Sequence, residues 1–190
     1  MLRNRLRHLQ QILLPLTCLL IVIWSVSLSA LDYHQEVVYN LALIPRSVQG
    51  LNGIRTMPLV HGSLQHLLVN TPLLAVFSGV VLWRGNRYYF AVTLLILLMA
   101  GSVLWLVGRT GAHIGASALI FGYFGLLGAR GFFEKRFLSI AVSLAVVSVY
   151  SSLLWGIVPD DEGVSWEGHL AGLLAGITTA RLLSTKLNRV

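Results

Sequence analysis

The chain of 190 residues is 56% hydrophobic and only 11% charged, and it contains one cysteine. A soluble globular domain carries about 25% charged residues, so this composition cannot form a water-soluble surface. It equally excludes a disordered chain and a disulfide-rich scaffold. The formal net charge of +7 is compatible with nucleic-acid binding or with a membrane protein, and the distribution of the charges decides between them.

Long uncharged runs dominate the chain. A helix needs about 20 mainly apolar residues to cross a bilayer, and five runs reach that length. A sixth, shorter run becomes long enough if Arg181 snorkels to the interface. The sequence therefore predicts an all-α membrane protein with six transmembrane helices in a single domain over residues 1–190. The predicted spans are 12–31, 60–83, 88–108, 114–129, 137–158 and 168–183, and the external loop is 32–59.

The external loop and the first run need separate interpretation. The loop is too broken to span and too apolar to be a solvated linker, so we expect short interfacial helices in it. The first run exceeds the 7–15 residues typical of a signal-peptide core. We therefore expect it to be retained as a span.

The charged residues favour six spans over five. With a cytoplasmic N-terminus, six spans place 11 of the 14 basic residues inside and leave only Arg46, Arg55 and Arg109 outside. The acids predicted to lie outside are Asp32, Glu36, Asp160, Asp161, Glu162 and Glu167. Both termini are therefore predicted to be cytoplasmic, and topology and anionic lipid explain the positive charge without nucleic acid.

A few polar side chains lie within the predicted spans, where such groups are expensive and often functional. Measured from the arginine at the inner end of each helix, Ser117, His169 and Asn70 lie roughly 18–21 Å above the inner membrane edge. His66 lies one turn above Asn70 on the same face. A serine, a histidine and two hydrogen-bond donors at one depth suit a nucleophile, a general base and an oxyanion site.

Glycines near these residues support the same interpretation. Gly115 permits a tight turn before Ser117, which would then begin a helix whose free N–H groups favour a developing oxyanion. Gly172 and Gly176 follow His169 and let span 6 approach span 4 closely. This packing would bring His169 towards Ser117.

Three motifs together resemble the rhomboid family of intramembrane serine proteases. They are His61-Gly-Ser-Leu-Gln-His66-Leu-Leu-Val-Asn70, Gly115-Ala-Ser117 and Gly168-His169-Leu-Ala-Gly172. Each motif alone is common, but their order, spacing and placement in the spans agree with the family. The resemblance covers the chain from about residue 56 to its end.

The resemblance implies a six-helix rhomboid-like bundle and a serine endopeptidase that cuts transmembrane segments near the outer face, without a metal or other cofactor. Ser117 would be the nucleophile and His169 the general base. The oxyanion hole would comprise His66, Asn70 and the Ser117 backbone N–H. Two positions depart from the family pattern. Phe121 stands where a tyrosine usually stacks on the catalytic histidine, and Ala118 replaces the usual glycine. Alanine is the smallest replacement, so it could crowd Ser117 but is not expected to inactivate the protein.

The expected partners are transmembrane protein substrates and the lipid bilayer, with no nucleic acid. Short loops favour a bacterial inner membrane, and the pattern specifies neither the substrate nor the oligomeric state. One alternative is a catalytically inactive rhomboid-like protein that binds transmembrane helices. Another is a small channel or transporter in which His61, His66 and His169 relay protons or bind a metal, which would leave Ser117 without a role.

Four further residues are not expected to take part in catalysis. His61 is expected to be structural. His113 lies between two glycines that indicate a loop, and it is not expected to be the base. Glu167, two residues before His169, would point to the opposite side of a helix and is not expected to be a third catalytic acid. Cys18 is a small hydrophobe within a span.

Overall fold

The computed structural model describes residues 2–33, 35–159 and 163–187. In this part of the chain the architecture is helical. The α-helices are α1 Leu2–Tyr33, α2 Gln35–Leu41, α3 Gly53–Thr56, α4 Leu64–Leu82, α5 Asn86–Val107, α6 Ser117–Glu134, α7 Phe137–Tyr150 and α8 Trp166–Leu187. Short 3-10 helices occur at Gln49–Leu51, Met57–Leu59 and Ser151–Ile157. Four charges used to predict the topology, Asp160, Asp161, Glu162 and Arg189, lie outside the described residues.

Four helical segments among the described residues are long and apolar enough to cross a membrane: Ile12–Asp32, Leu64–Leu82, Asn86–Val107 and Phe137–Ile157. They correspond to predicted spans 1, 2, 3 and 5. Helices α6 and α8 occupy the positions of predicted spans 4 and 6 but are less apolar. Helix α6 contains four glycines together with Arg130 and Glu134, and the first turn of α8 contains Glu167 and His169. The six-span arrangement stays a prediction.

Helix α6 lies at the centre of the bundle. Its residues from Ala118 to Leu127 are all buried, and it packs against α4, α7 and α8. The contact with α8 is between main chains: a Cβ added at Gly172 would collide with the carbonyl oxygen of Ala118, and one at Gly176 with that of Gly122. Small residues therefore bring the backbones together where α6 begins, which places the start of α6 beside the first turns of α8.

The segment between α5 and α6 differs from the predicted span 114–129. Helix α6 begins only at Ser117, because Gly115 has a φ of +105° that cannot continue a right-handed helix. The predicted external loop also contains structure, namely α2, α3 and two of the 3-10 helices. Its buried residues Leu43 and Met57 pack with Ala118 and Leu104, so the loop covers the start of α6.

A cluster of charges joins the turn after α4 to α6 and α7 at the end of the bundle where α6 finishes. Glu134 Oε1 accepts a hydrogen bond from Arg84 Nη1 at 2.5 Å, and Oε2 accepts from Arg130 Nε at 3.2 Å and from Ser139 Oγ at 2.5 Å. Burial alone would raise the pKa of Glu134. The hydrogen bonds from Ser139 and Arg84 and the two positive charges outweigh burial and hold the pKa below its ordinary value.

Candidate active site

A cavity of about 1050 Å³ opens between α4, the α5–α6 loop, α6, the 3-10 helix Ser151–Ile157 and α8. It holds the residues that the sequence analysis singled out on three separate helices. Those that line it are His66, Asn70, Ser117, Phe121 and His169. The helix packing therefore gathers the candidate nucleophile, base and oxyanion donors around one space.

Ser117 is the first residue of α6, and Ala116 is its N-cap. The N–H groups of the first turn have no partner within the helix, so their partial positive charge lies beside the Ser117 hydroxyl. Gly115 makes this start possible. Besides its positive φ, a Cβ at this position would lie 2.6 Å from His66 Cε1, so any side chain would displace the His66 ring.

Two contacts hold the His169 ring: a hydrogen bond at Nδ1 sets its tautomer, and stacking by Phe121 sets its plane. Its Nδ1 lies 2.8 Å from the carbonyl oxygen of Gly156. Because a carbonyl only accepts, Nδ1 carries the proton and donates it, and Nε2 is left as an unprotonated acceptor. The Phe121 ring stacks on the imidazole, and a Cβ at Gly156 would lie 2.9 Å from Phe121 and 3.1 Å from His169 Nδ1. Nε2 of His169 is therefore left able to accept a proton.

Asn70 supplies an unused donor to the cavity. Its side chain is buried, and Nδ2 has no hydrogen-bond partner among the described residues. Leaving a buried N–H unpaired costs about 1–3 kcal/mol, and such exceptions mark functional sites. The His66 ring lies one turn earlier on α4, against Gly115. Asn70 and His66 are therefore the candidate donors for an oxyanion beside Ser117, which lines the same cavity.

His61 lies against the N-cap of α6 and is fully buried. Its Nε2 accepts a hydrogen bond from the Ala116 backbone N–H at 3.3 Å, so Nδ1 carries the proton and donates to Ser27 Oγ at 3.0 Å. The Ser27 hydroxyl in turn donates to the Leu59 carbonyl at 3.0 Å. This chain connects α1 to the N-cap of α6. With both ring nitrogens engaged, His61 has none left for the metal site of the channel alternative.

His113 and Glu167 are engaged elsewhere than at the reacting groups. His113 contacts Ser165 and the Arg109 carbonyl, and Glu167 pairs with Arg109.

Ala118 does not line the cavity; its methyl group packs against the external loop, so the replacement of glycine leaves the cavity open. Cys18 is exposed on α1. Within the described part of the chain, no group of three or more His, Cys, Asp or Glu side chains is placed to hold a metal.

The sequence analysis missed three residues of this site. Gly156 acts through its carbonyl oxygen, which no sequence pattern marks. Ser27 lies in the first apolar run, where an isolated serine is ordinarily a local helix hydrogen bond. Arg109 is predicted from the sequence only as a basic residue on the outer side, whereas the structure pairs it with Glu167. The one sequence signal for this pairing is that Arg109 and Glu167 are both among the few charged residues predicted on the outer side.

These features define an all-helical integral membrane protein with a serine–histidine cavity among its helices. A family model described as the Rhomboid domain matches residues 49–186. The chain therefore belongs to the rhomboid family.

Similar proteins occur in mycobacteria. Proteins of Mycobacterium bovis and Mycobacterium tuberculosis, each named only as an uncharacterised protein, are 37% identical over 149 residues, which is 74% of this chain. A protein of Mycobacterium leprae with the same kind of name is 36% identical over 141 residues, or 70% of this chain. The chain spans 62% of the length of the first two relatives and 56% of the third.

Proposed function

We propose that this protein is an intramembrane serine endopeptidase that cleaves transmembrane segments of membrane proteins with a Ser117–His169 dyad. The observation that carries the proposal is the hydrogen bond from His169 Nδ1 to the Gly156 carbonyl. It leaves Nε2 free of a proton in the cavity that Ser117 also lines. A histidine whose other nitrogen is already committed as a donor is in the tautomer that a general base needs.

The reaction follows the chemistry of acyl transfer. Ser117 Oγ attacks the carbonyl carbon of the scissile peptide bond while its proton passes to His169 Nε2. The carbonyl oxygen becomes an oxyanion that Asn70 Nδ2, the His66 side chain and the Ser117 backbone N–H stabilise. The imidazolium then protonates the leaving amine as the C–N bond breaks. Water, deprotonated by His169, releases the second product as a carboxylic acid and restores Ser117.

The membrane setting constrains the substrate. In a transmembrane helix every carbonyl is already hydrogen-bonded, so the substrate must unwind near the cut before Ser117 can reach one. We propose that both termini are cytoplasmic, in a bacterial inner membrane, so that the cut falls near the outer face. Glycine or proline near the cut should then speed cleavage, and leucine in their place should slow it.

The test combines probe labelling with cleavage by the full chain in liposomes. A fluorophosphonate should modify Ser117, identified by mass spectrometry, and a transmembrane substrate should be cut. Ser117→Ala and His169→Ala should each abolish cleavage, and the double variant should be no worse, because the two residues act as one unit. Ser152→Ala is the matched control, since Ser152 also lines the cavity.

Ser152→Ala should cleave at the wild-type rate. Cleavage retained in Ser117→Ala or in His169→Ala would refute the dyad. A folded wild-type protein that binds transmembrane helices without labelling or cleavage would instead support the inactive alternative.

A further inference from the structure

The loop that leads to Ser117 is joined by side chains to the start of α8, which carries His169. Arg109, just after α5, donates from Nε to Glu167 Oε1 at 2.6 Å and from its backbone N–H to the same oxygen at 3.3 Å. Its Nη2 also donates to the Val164 carbonyl at 2.8 Å. Glu167 is buried, so its charge depends on this arginine for compensation.

A second connection runs through His113. Its Nε2 donates to the Arg109 carbonyl at 3.0 Å, so its Nδ1 accepts from the Ser165 hydroxyl at 2.7 Å. Ser165 Oγ itself accepts the Gly168 backbone N–H at 3.2 Å and so caps the first turn of α8. A Cβ at Gly168 would lie 2.8 Å from Ser165 Oγ, so glycine is what permits this cap.

The anchor on the Ser117 side is rigid. The backbone of His113 forms two hydrogen bonds with Leu43 of the external loop, at 2.8 and 3.0 Å. His113 precedes Ser117 by four residues, and Ser165 precedes His169 by four. The His113–Ser165 connection therefore joins points at equal chain distance from the candidate nucleophile and from the candidate base.

We propose that Arg109, His113, Ser165 and Glu167 form a clamp that positions His169 against Ser117, a role that rests on the proposed function. The glycine contacts between α6 and α8 hold the two helices together below Ser117, and the clamp holds their leading segments together at the rim of the cavity. The clamp residues are positioning residues. Both ring nitrogens of His113 are engaged, and the Glu167 carboxylate contacts Arg109 rather than His169 Nδ1, which donates to Gly156.

The clamp predicts a defect in kcat rather than in substrate binding. A misplacement of about 1 Å can cost about 10²-fold in rate. Arg109→Gln, Glu167→Gln and Ser165→Ala should therefore each lower kcat by about 10-fold or more with KM little changed. Fluorophosphonate labelling of Ser117 should slow in parallel. The kcat of the Arg109→Gln/Glu167→Gln double variant should be no lower than that of the more impaired single variant. All three variants lose the same connection.

Two controls separate positioning from simple loss of stability. Ser165→Thr keeps the hydroxyl and should retain most of the wild-type kcat. Arg84→Gln breaks an ion pair with Glu134 at the other end of the bundle, so it should lower the melting temperature without lowering kcat per probe-titrated site.

The outcomes are distinguishable from failure of the proposed function. If the wild type cleaves and Ser117→Ala does not, but the clamp variants lose only melting temperature while kcat stays at the wild-type value, the clamp is overturned and the protease stands. The clamp would also be overturned if Arg84→Gln lowered kcat as much as the clamp variants do. A wild type that neither labels nor cleaves overturns both.

Discussion

The phenyl ring of Phe121 lies parallel to the imidazole of His169, with the ring centroids 4.2 Å apart and 6° between the ring planes. Phe121 is one helical turn after Ser117 on α6, so this contact ties the orientation of the candidate base to the helix that carries the candidate nucleophile. The Gly156 carbonyl holds the edge of the same imidazole. The ring is thus fixed by one contact on its face and one at Nδ1.

Loss of the stacked ring should reduce catalysis moderately. Aromatic pairs contribute about 0.5–1.5 kcal/mol beyond their buried area, so Phe121→Ala should lower kcat by about 2- to 10-fold as His169 gains rotational freedom. Phe121→Tyr keeps the ring and should stay near the wild-type rate. Steady-state cleavage in liposomes measures both, and a wild-type kcat in Phe121→Ala would show that the Gly156 hydrogen bond alone orients the base.

The candidate oxyanion donors should act mainly on the transition state. Removing one such donor typically costs about 10²–10³ in kcat, or about 2.7–4 kcal/mol. Asn70→Ala and His66→Ala should each lower kcat more than they raise KM, because their contacts strengthen as charge develops on the oxygen. Val69→Ala is a matched control, since Val69 also lines the cavity. If both donor variants kept the wild-type kcat, the oxyanion would need other donors.

The hydrogen bonds that link Ser27, His61 and Ala116 should contribute mainly to stability and less to activity. A buried polar group left without its partner costs about 1–3 kcal/mol, so Ser27→Ala and His61→Ala should each lower the free energy of unfolding by about that amount. Activity should fall less than in Ser117→Ala, because His61 acts through the N-cap of α6 and through an edge contact with the His66 ring rather than as a reacting group. Thermal unfolding in detergent measures the first effect and cleavage the second.

Ser29 provides the control for these hydrogen bonds. It lies on the same helix, is exposed, and donates only to the Ser25 carbonyl within α1. Ser29→Ala should therefore change stability by no more than about 0.5 kcal/mol. An equal loss in Ser27→Ala and Ser29→Ala would indicate a general effect on α1 rather than a connection to the active site.

The Glu134 cluster should be a major stability element. Removing the carboxylate leaves the buried Arg130 and the half-buried Arg84 without their partner, and breaking a buried pair costs about 3–5 kcal/mol. Glu134→Gln should therefore lower the melting temperature strongly while kcat per folded molecule stays unchanged. Glu36→Gln, at an exposed acid, should have little effect.

The same cluster predicts a pH dependence with a definite sign. The pKa of Glu134 is lowered in the folded protein, so its stabilisation is fully present above the ordinary pKa of a glutamate, about 4.3, and is lost as the pH falls through the lowered value. Between about pH 7 and pH 3 the wild type should lose more unfolding free energy than Glu134→Gln. Parallel losses in the two proteins would assign the acid sensitivity to other carboxylates.

Much of the fold and the candidate site follows from one-dimensional patterns. Apolar runs of fixed length specify helices because a bilayer leaves backbone groups no other way to be satisfied. The same geometry converts position in a span into depth, which is how Ser117, His169 and Asn70 could be selected together. The spacing of Gly172 and Gly176 after His169 also predicts which helices approach closely, since only small residues allow backbone contact.

The tertiary structure decides what the selected residues do. The tautomer of His169 depends on a carbonyl in the 3-10 helix before α8, the partners of His61 come from α1 and the α6 cap, and Glu167 meets Arg109, 58 residues away in the chain. Hydropathy and periodicity determine which face of a helix is covered. They carry no information about which donor meets which acceptor, because that depends on the relative placement of helices and loops far apart in sequence.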